Sequence, residues 1–436
     1  MNYGGEYVVP PAGEFVKSVV ENNALVRSGR SESYDGEIIK VIEVENFPIL
    51  GKLVALRFLE WVQQNEGGVI SLPTGRTPEH FIKWVKFFLK HWDDEKTQNE
   101  MQAMGLNPSQ GRPNMQSLHF VQIDEFYPIN SANKNTFFQY VREHYIAGFE
   151  LDPSKAMLID TWTLGCPAGK TAGDLFCNGI DESLRWRAAK TELEIEQKTA
   201  LAAVDAFCTD YEDRIKALGG IGFFLGGIGP DGHVAFNCRG SDLHSTTRLT
   251  PVNYETQAAA STDLGGIEVA RKSWVITIGM GTITSNPAGV ALVFAAGDAK
   301  AKVVADSIQL PRSNLRPAGA LADLPNARFY LTRSAATGLA ARVLEDVREE
   351  AAKSAAGARG KSDMAKKVVM DLGVRLKKRL RDITAEDVHA DALACALFTG
   401  CSAAVIKGAL LEAEQSLLSK LEHGSTPRTV ICPPFK

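Results

Sequence analysis

Short apolar runs alternate with longer segments of helical periodicity between residue 37 and about residue 340. The short runs are close to continuously apolar, and they are Val69–Leu72, Leu118–Ile123, Ile221–Leu225, Trp274–Ile278, Val290–Ala295 and Phe329–Leu331. The longer segments repeat apolar residues at helical spacing, and they are Ile49–Gln63, Pro78–His91, Asn135–Tyr145 and Ala202–Leu218. This alternation predicts an α/β fold with a mostly parallel sheet that helices cover on both faces. Ligands of such sheets bind beyond the carboxyl ends of the strands, so the residues that follow each run are the candidate site.

The remaining parts of the chain have other patterns. Residues 1–36 mix glycine, proline, serine and charged residues, which predicts an irregular N-terminal arm. Residues 92–115 are polar and predict an inserted surface loop, whereas the charged stretch 165–200 predicts an extra helix or an extended helix start. Alanine-rich helical segments dominate residues 341–436 and predict a helical C-terminal extension. Residues 37–340 would then form the main domain.

Composition excludes several classes of protein. Hydrophobic residues make up 44% and charged residues 23% of the 436 positions, as in ordinary globular domains. The net charge of −4 gives no reason to expect a nucleic-acid partner. Seven cysteines without a CxxC pair argue against a disulfide framework and against a thiolate metal site. No apolar run approaches the ~18 residues of a membrane span and the start does not resemble a signal peptide, so a cytoplasmic location is expected.

A strand-to-helix turn at residues 72–78 carries the first candidate binding site. Its sequence is LPTGRTP, in which Thr77 suits a helix N-cap and Pro78 suits the first helical position. Exposed amides at a helix start, together with the Thr74 hydroxyl and the Arg76 guanidinium, can hold a phosphate. A plain capped turn explains the same residues equally well.

Acidic residues follow the second of these strands. Asp124 and Glu125 come directly after the run that ends at Ile123. A carboxylate at a strand end can be a proton-transfer base, because burial raises its pKa toward a useful value. Capping of the next helix is the alternative role.

The glycine-rich segment 226–237, GGIGPDGHVAFN, is the strongest local signal in the chain. Its glycines allow the backbone to approach a ligand closely, and Asp231 and His233 can point into one crevice. Histidine is the side chain best suited to proton transfer near neutral pH. Further along, Lys300 stands after the run Val290–Ala295, where it can reach an anionic group.

The order of these motifs resembles the glucosamine-6-phosphate deaminase (isomerase) family. LPTGxTP, a strand ending in Asp-Glu, GGIGPDGHVAFN, TIGMGTI and GDAKA follow one another between residues 40 and 340. The same superfamily includes 6-phosphogluconolactonase, which shares the early loop and the GxGPDGH step. That relative usually continues with Thr-Ala-Ser after the histidine, so the deaminase is the closer likeness.

The resemblance implies a Rossmann-like, doubly wound fold that works without a cofactor and without a metal. It implies an aldose–ketose isomerisation coupled to deamination, in which a phosphorylated amino sugar, glucosamine 6-phosphate, gives fructose 6-phosphate and ammonia. By position, Asp124 would move the proton between C1 and C2, and His233 with Asp231 would assist ring opening. The phosphate-binding residues would be Thr74, Gly75, Arg76, Thr77 and Lys300. Neither a membrane nor a nucleic acid is an expected partner. Association of the chain into a homo-oligomer is compatible with the sequence.

Two departures from the family pattern leave alternatives open. Cys238 stands where the deaminases have a glutamate that orients the histidine, and Asp242 is the nearest substitute. The phosphate-binding arginine that the family has before TIGMGTI is missing, so Arg271, Lys272 or Arg76 would supply the charge. A 6-phosphogluconolactonase-like hydrolase and a non-catalytic sugar-phosphate sensor or scaffold are the competing functions.

Overall fold

A computed structural model describes residues 18–264, 266–343, 345, 368–370, 372–374, 376–391, 394–395, 398 and 403–422. The chain divides after Ala336 into two compact units. Each unit has its own apolar core.

The first unit is built on a sheet of seven strands. They are β1 (Lys40–Val44), β2 (Val69–Ser71), β3 (His119–Val121), β5 (Ala156–Met157), β6 (Phe223–Gly226), β9 (Val290–Ala295) and β10 (Ala327–Thr332). Their order is β1-β10-β9-β6-β2-β3-β5, and every pairing is parallel. Central strands are buried along their whole length, as continuous apolar runs require. The predicted mostly parallel α/β sheet is therefore confirmed.

Helices flank this sheet. They are α1 (Val19–Ser28), α2 (Phe47–Gln64), α3 (Glu79–Lys90), α4 (Glu95–Ala103), α5 (Phe137–Val141), α6 (Ala172–Leu175), α7 (Glu192–Ala217), α8 (Tyr254–Leu264), α9 (Ile267–Ala270), α10 (Met280–Thr284) and α11 (Ala301–Gln309). Helix α5 continues as a π-helical turn over Arg142–Ala147. Phe58 of α2 contacts Phe81 of α3 and Phe223 of β6, so aromatic packing joins the helices to the sheet.

A separate sheet of three antiparallel strands carries part of the site. It contains β4 (Asp124–Tyr127), β7 (Arg248–Thr250) and β8 (Trp274–Thr277), in the order β4-β8-β7. The apolar run at Trp274–Ile278 is thus a strand, as predicted, but it lies outside the parallel sheet. Only two residues separate β3 from β4, so the chain leaves the parallel sheet and enters the second one at Asp124.

The prediction of an irregular arm over residues 1–36 is wrong for Val19–Ser28, which form α1. Residues 1–17 lie outside the described residues. Glu60 accepts hydrogen bonds from the Ser18 hydroxyl and the Val19 amide at 2.5 and 2.7 Å, which fixes the start of the helix. The buried Arg57 guanidinium lies 3.3 Å from the Glu60 carboxylate and offsets its charge. This anchoring is a tertiary contact that local sequence pattern does not reveal.

The structure corrects the prediction for residues 92–115 and confirms the prediction for residues 165–200. The polar stretch 92–115 is not simply a loop, because Glu95–Ala103 form a helix that buries Met101. Helix α7 begins at Glu192, which confirms an extended helix start within the charged stretch 165–200.

The second unit is described by itself. Among its described residues the well-defined helices are α12 (Ala385–Ala390) and α13 (Ala403–Glu422). Their apolar side chains form a small core that includes Val388, Ile406 and Leu410. In the part of the chain that the structure describes, no helix is both long and apolar enough to cross a membrane.

Candidate active site

A cleft of about 560 Å³ lies at the carboxyl ends of β2, β6 and β9. Several segments that are far apart in the sequence meet there, because parallel strands present their carboxyl ends at one edge of a sheet. The predicted site residues that line the cleft are Thr74, Arg76, Thr77, Asp124, His233 and Lys300. Asp231 lies behind His233, and Gly75 lies between two lining residues.

The loop after β2 is held open toward the cleft. Gly75 has a φ of +91°, a left-handed conformation that glycine adopts without strain. The Tyr140 hydroxyl donates a hydrogen bond of 2.9 Å to the Gly75 carbonyl, so a side chain of α5 stabilises the turn. The prediction that Thr77 caps the next helix is wrong, because α3 begins at Glu79 without a side-chain cap. Thr77 instead lines the cleft.

The two acidic residues after β3 have different surroundings. Glu125 accepts hydrogen bonds from the Phe137 and Phe138 amides at 3.3 and 2.6 Å, so it caps the start of α5. Asp124 is 7% exposed and lines the cleft. Burial, reinforced by the nearby Glu125 carboxylate and partly offset by His233, raises the pKa of Asp124 to about 8. Of the two, Asp124 has the position and the acidity of a candidate proton-transfer group.

His233 and Asp231 form a hydrogen-bonded pair. The Nδ1 atom of His233 lies 2.5 Å from Oδ1 of Asp231. Burial by itself would lower the pKa of His233, but the bond to Asp231 and the contact with Cys238 outweigh it and raise that pKa to about 9. Burial would likewise raise the pKa of Asp231, yet the bond to His233 holds it far below its usual value. The histidine therefore holds its proton at neutral pH.

Glycines of the 226–237 segment make room for this pair. A Cβ atom at Gly229 would overlap the imidazole ring of His233. Gly232 has a φ of +86°, and the non-glycine Ala235 also adopts a left-handed φ of +53° beside the cleft. Such a strained residue is held in place only by its surroundings. The glycine at position 229 thus fits the close approach of the backbone to the histidine ring, whereas a Cβ atom at Gly227 would meet no atom within 4 Å.

Cys238 occupies a buried apolar position near the histidine. It packs in one cluster with Phe126 and Val275. Its Sγ atom lies 3.7 Å from the Thr256 hydroxyl, which in turn lies 3.5 Å from Nδ1 of His233. No carboxylate occupies this position.

Asp242, the suggested substitute for the missing glutamate, faces elsewhere. It is exposed and accepts a hydrogen bond from the His244 amide at 2.8 Å. Within the described residues, the carboxylate that is hydrogen-bonded to His233 is that of Asp231. The alternative in which Asp242 replaces the glutamate is therefore wrong.

Asp231, His233 and Cys238 bring three potential metal-ligand atoms within 4.8 Å of one another. Ligands held at ~2.0–2.3 Å around a tetrahedral ion are separated by well over 3 Å. The Nδ1–Oδ1 distance of 2.5 Å instead accommodates one shared proton. The geometry fits a proton-transfer pair rather than a metal centre.

The cationic groups of the site are Lys300 and Arg76. Nζ of Lys300 donates to the Ile228 carbonyl at 2.8 Å, and burial lowers the pKa of this lysine. Arg271 is paired with Glu268, while Lys272 donates to the Cys177 carbonyl. Neither Arg271 nor Lys272 lines the cleft, so of the three proposed substitutes for the missing arginine only Arg76 does.

Sequence reasoning missed two kinds of residue. Phe47, Phe137 and Phe236 form an aromatic part of the cleft wall, and only Phe236 belongs to a recognised motif. Asn253 donates a hydrogen bond of 2.6 Å to Oδ2 of Asp231. Its one sequence signal is the preference of asparagine for helix starts, since 22 positions separate the partners.

Comparisons with known proteins agree with the motifs. No family model matches the chain. A glucosamine-6-phosphate deaminase of Yersinia pestis (strain Pestoides F) is 40% identical over 100 residues, which are 23% of this chain and 38% of the relative. The deaminase of Yersinia pseudotuberculosis serotype O:1b (strain IP 31758) gives the same values. The chain thus matches less than two fifths of the length of these curated relatives.

Solved structures extend the likeness to the fold. A monomeric glucosamine-6-phosphate deaminase, described as the missing link of the NagB superfamily, is 23% identical with a TM-score of 0.50. It covers 69% of this chain and 100% of its own length. A 6-phosphogluconolactonase from Leishmania guyanensis is 16% identical over 69% of this chain and 98% of its own, with a TM-score of 0.45. The Rossmann-like fold and the resemblance in sequence to the deaminase family are confirmed.

Proposed function

We propose that this protein is an enzyme of amino-sugar metabolism that converts glucosamine 6-phosphate and water into fructose 6-phosphate and ammonia. The supporting observation is that Asp124, a buried acid of raised pKa, shares one cleft with the His233–Asp231 pair and with two cationic side chains. The 100-residue match to deaminases supports the same reaction. All of these residues belong to the first unit, so we assign the activity to it.

The phosphate binds at one end of the cleft. Gly75 shapes the loop, Thr74 and Thr77 offer hydroxyls, and Arg76 and Lys300 offer charge. Hydrogen bonds to an anion from charged donors are the strong ones, and they fix the sugar relative to the acid and the histidine.

Ring opening and proton transfer follow from the other groups. Asp231 fixes the proton on Nδ1 of His233, and the histidine exchanges a proton with the ring oxygen of the cyclic sugar. In the open aldose, the Asp124 carboxylate removes the proton from C2 and returns it to C1. One proton of the C2 ammonium passes to the C1 oxygen, so that the aldehyde becomes an alcohol and the amine becomes an iminium group. Water then adds to C2 and the nitrogen leaves, which gives the ketose and ammonia.

The direct test measures both products from one substrate. Purified protein is incubated with glucosamine 6-phosphate, and ammonia and fructose 6-phosphate are assayed separately. Equal amounts of the two products support the proposal, and absence of both at high enzyme concentration rejects it.

A lactonase is the second candidate, because Cys238 replaces the family glutamate while the phosphate loop and the His233–Asp231 pair remain. Hydrolysis of 6-phosphogluconolactone has no need for a base at C2, so Asp124 would be dispensable. Lactone hydrolysis without ammonia release would favour this candidate. Turnover of either substrate would reject the non-catalytic sensor.

Removing either cation weakens substrate use. Lys300→Ala and Arg76→Ala each delete a charged donor, and such bonds contribute about 1.5–3 kcal/mol, which corresponds to about 10–100-fold in kcat/KM. The loss is larger for Lys300, because Arg76 is exposed and partly screened by solvent. Steady-state kinetics check this, and inorganic phosphate as an inhibitor reports the same affinity. A wild-type kcat/KM in Lys300→Ala would contradict the phosphate assignment.

The pH profile is bell-shaped on the alkaline side of neutrality. Asp124 must be ionised to accept a proton, so activity rises as the pH passes about 8. His233 must keep its proton for ring opening, so activity falls above about 9. In the complex with substrate, the positive ammonium group of the sugar favours the ionised form of Asp124 and lowers its pKa. The acidic limb of the kcat profile therefore lies at lower pH than the acidic limb of the kcat/KM profile. Rates are measured from pH 6 to 10 and corrected for the ionisation of the free substrate; a flat profile contradicts the assignment.

A further inference from the structure

The Asp231 carboxylate is held from three directions. Oδ1 lies 2.5 Å from Nδ1 of His233, while Oδ2 accepts hydrogen bonds from the Arg239 amide at 3.0 Å and from Nδ2 of Asn253 at 2.6 Å. We infer that Asn253 is a positioning residue that fixes Asp231 and thereby orients His233. The inference rests on the proposed function for its catalytic consequence, but its structural part can be tested without activity.

Asn253 links this carboxylate to the start of a helix. It immediately precedes α8, and its Oδ1 atom accepts a hydrogen bond of 3.0 Å from the Thr256 amide. Asn253 is therefore the N-cap residue of this helix. The same amide group therefore accepts from the helix with its oxygen and donates to Asp231 with its nitrogen. Thr256 is buried and its hydroxyl lies 3.5 Å from Nδ1 of His233, so the helix start lies directly against the pair.

This contact matters because a carboxylate can rotate about its own bond. With Oδ2 held by two donors, Oδ1 stays aimed at His233, and the short bond maintains the charge and the tautomer of the ring. In the described part of the chain, the other titratable groups that interact electrostatically with the pair are Asp124 and Cys238, which act on His233, and Lys300, which acts on Asp231. In the described part of the chain, the donors to Oδ2 are the Arg239 amide and Asn253 alone, so Asn253 supplies the one side-chain restraint.

The decisive variant is Asn253→Ser, because serine is a good N-cap but cannot reach Asp231. Gln257→Ala is the matched control: it removes another bond at the same helix start, from Nε2 of Gln257 to the Val252 carbonyl, without touching Asp231. The readout is the titration of His233 by NMR of histidine-labelled full-length protein. We expect the midpoint to fall from about 9 toward the ordinary value of about 6.5 in Asn253→Ser and to stay in place in Gln257→Ala.

Kinetics supply the second readout. We expect Asn253→Ser to lower kcat about 10-fold with little change in KM, since the pair is misaligned while the phosphate site is intact. An unchanged His233 midpoint in Asn253→Ser overturns the inference, and so does an equal fall in Gln257→Ala. If the serine variant does not fold, Asn253→Gly is used, because glycine is also tolerated as an N-cap. If the midpoint shifts in Asn253→Ser while the unmodified protein releases no ammonia from glucosamine 6-phosphate, the proposed function is rejected and the positioning role stays supported.

Discussion

Asp124→Asn is expected to lower turnover by about 10²–10⁴-fold, the usual contribution of a general base, while sugar-phosphate affinity changes little. Asparagine has the shape of aspartate but cannot take up a proton from C2. The side chains that we propose for phosphate binding belong to other segments of the cleft and are not altered. The effect should therefore fall on kcat rather than on KM.

Glu125→Gln is the matched control, because it changes the neighbouring carboxylate and leaves the base in place. Removing the Glu125 charge takes away one of the groups that raise the pKa of Asp124. The acidic limb of the pH profile should move to lower pH. The neutral amide oxygen accepts more weakly than the carboxylate from the Phe138 amide at the start of α5, so stability should fall more than activity. Kinetics and thermal unfolding of both variants check these expectations. Near-normal turnover in Asp124→Asn would return Asp124 to a structural role at the start of β4.

The parallel sheet and the position of the site could be predicted because their signals are local. Continuous apolar runs mark buried strands, and the residues after those runs meet at one edge. Asp124 follows such a run directly, and His233 and Lys300 stand in the segments that come after two others, so the topology brings them together. The GxGPDGH step added specificity, since its glycines and its histidine are within a few positions of one another.

Other features depend on contacts between distant segments. The partner of Asp124 in the antiparallel sheet is Thr277, and no pattern around either residue indicates that pairing. Helix α1 depends on the buried Glu60 of α2, about 40 positions away, to anchor its first turn. Asn253 forms a hydrogen bond with Asp231 although a loop and strand β7 separate the two residues in the sequence. Sequence reasoning supplies candidate residues for a site more readily than it supplies the residues that orient them.

Gly229→Ala tests whether the glycine motif exists for the sake of the histidine. The backbone at Gly229 is not left-handed, so alanine is tolerated there by the main chain and the effect is purely steric. The added Cβ would overlap the His233 ring, so we expect the ring to shift and to lose its alignment with Asp231. Because displacing a catalytic group by about 1 Å costs on the order of 10²-fold, we expect kcat to fall by about that factor. Stability should fall by only about 1–3 kcal/mol, as for other overpacked sites.

Gly227→Ala provides the comparison within the same loop, since a Cβ there meets no atom within 4 Å. In this variant the His233 titration midpoint should stay near 9, whereas in Gly229→Ala it should fall toward 6.5 because the ring loses the hydrogen bond to Asp231. Activity alone does not separate the two variants, because an alanine at either position can also crowd the substrate. The NMR titration of His233 does separate them, since it reports on the histidine and not on the substrate. If His233 titrated alike in Gly229→Ala and in the unmodified protein, the glycine would serve ligand access alone, and the orientation of the histidine would have to come from Asp231 and its other partners.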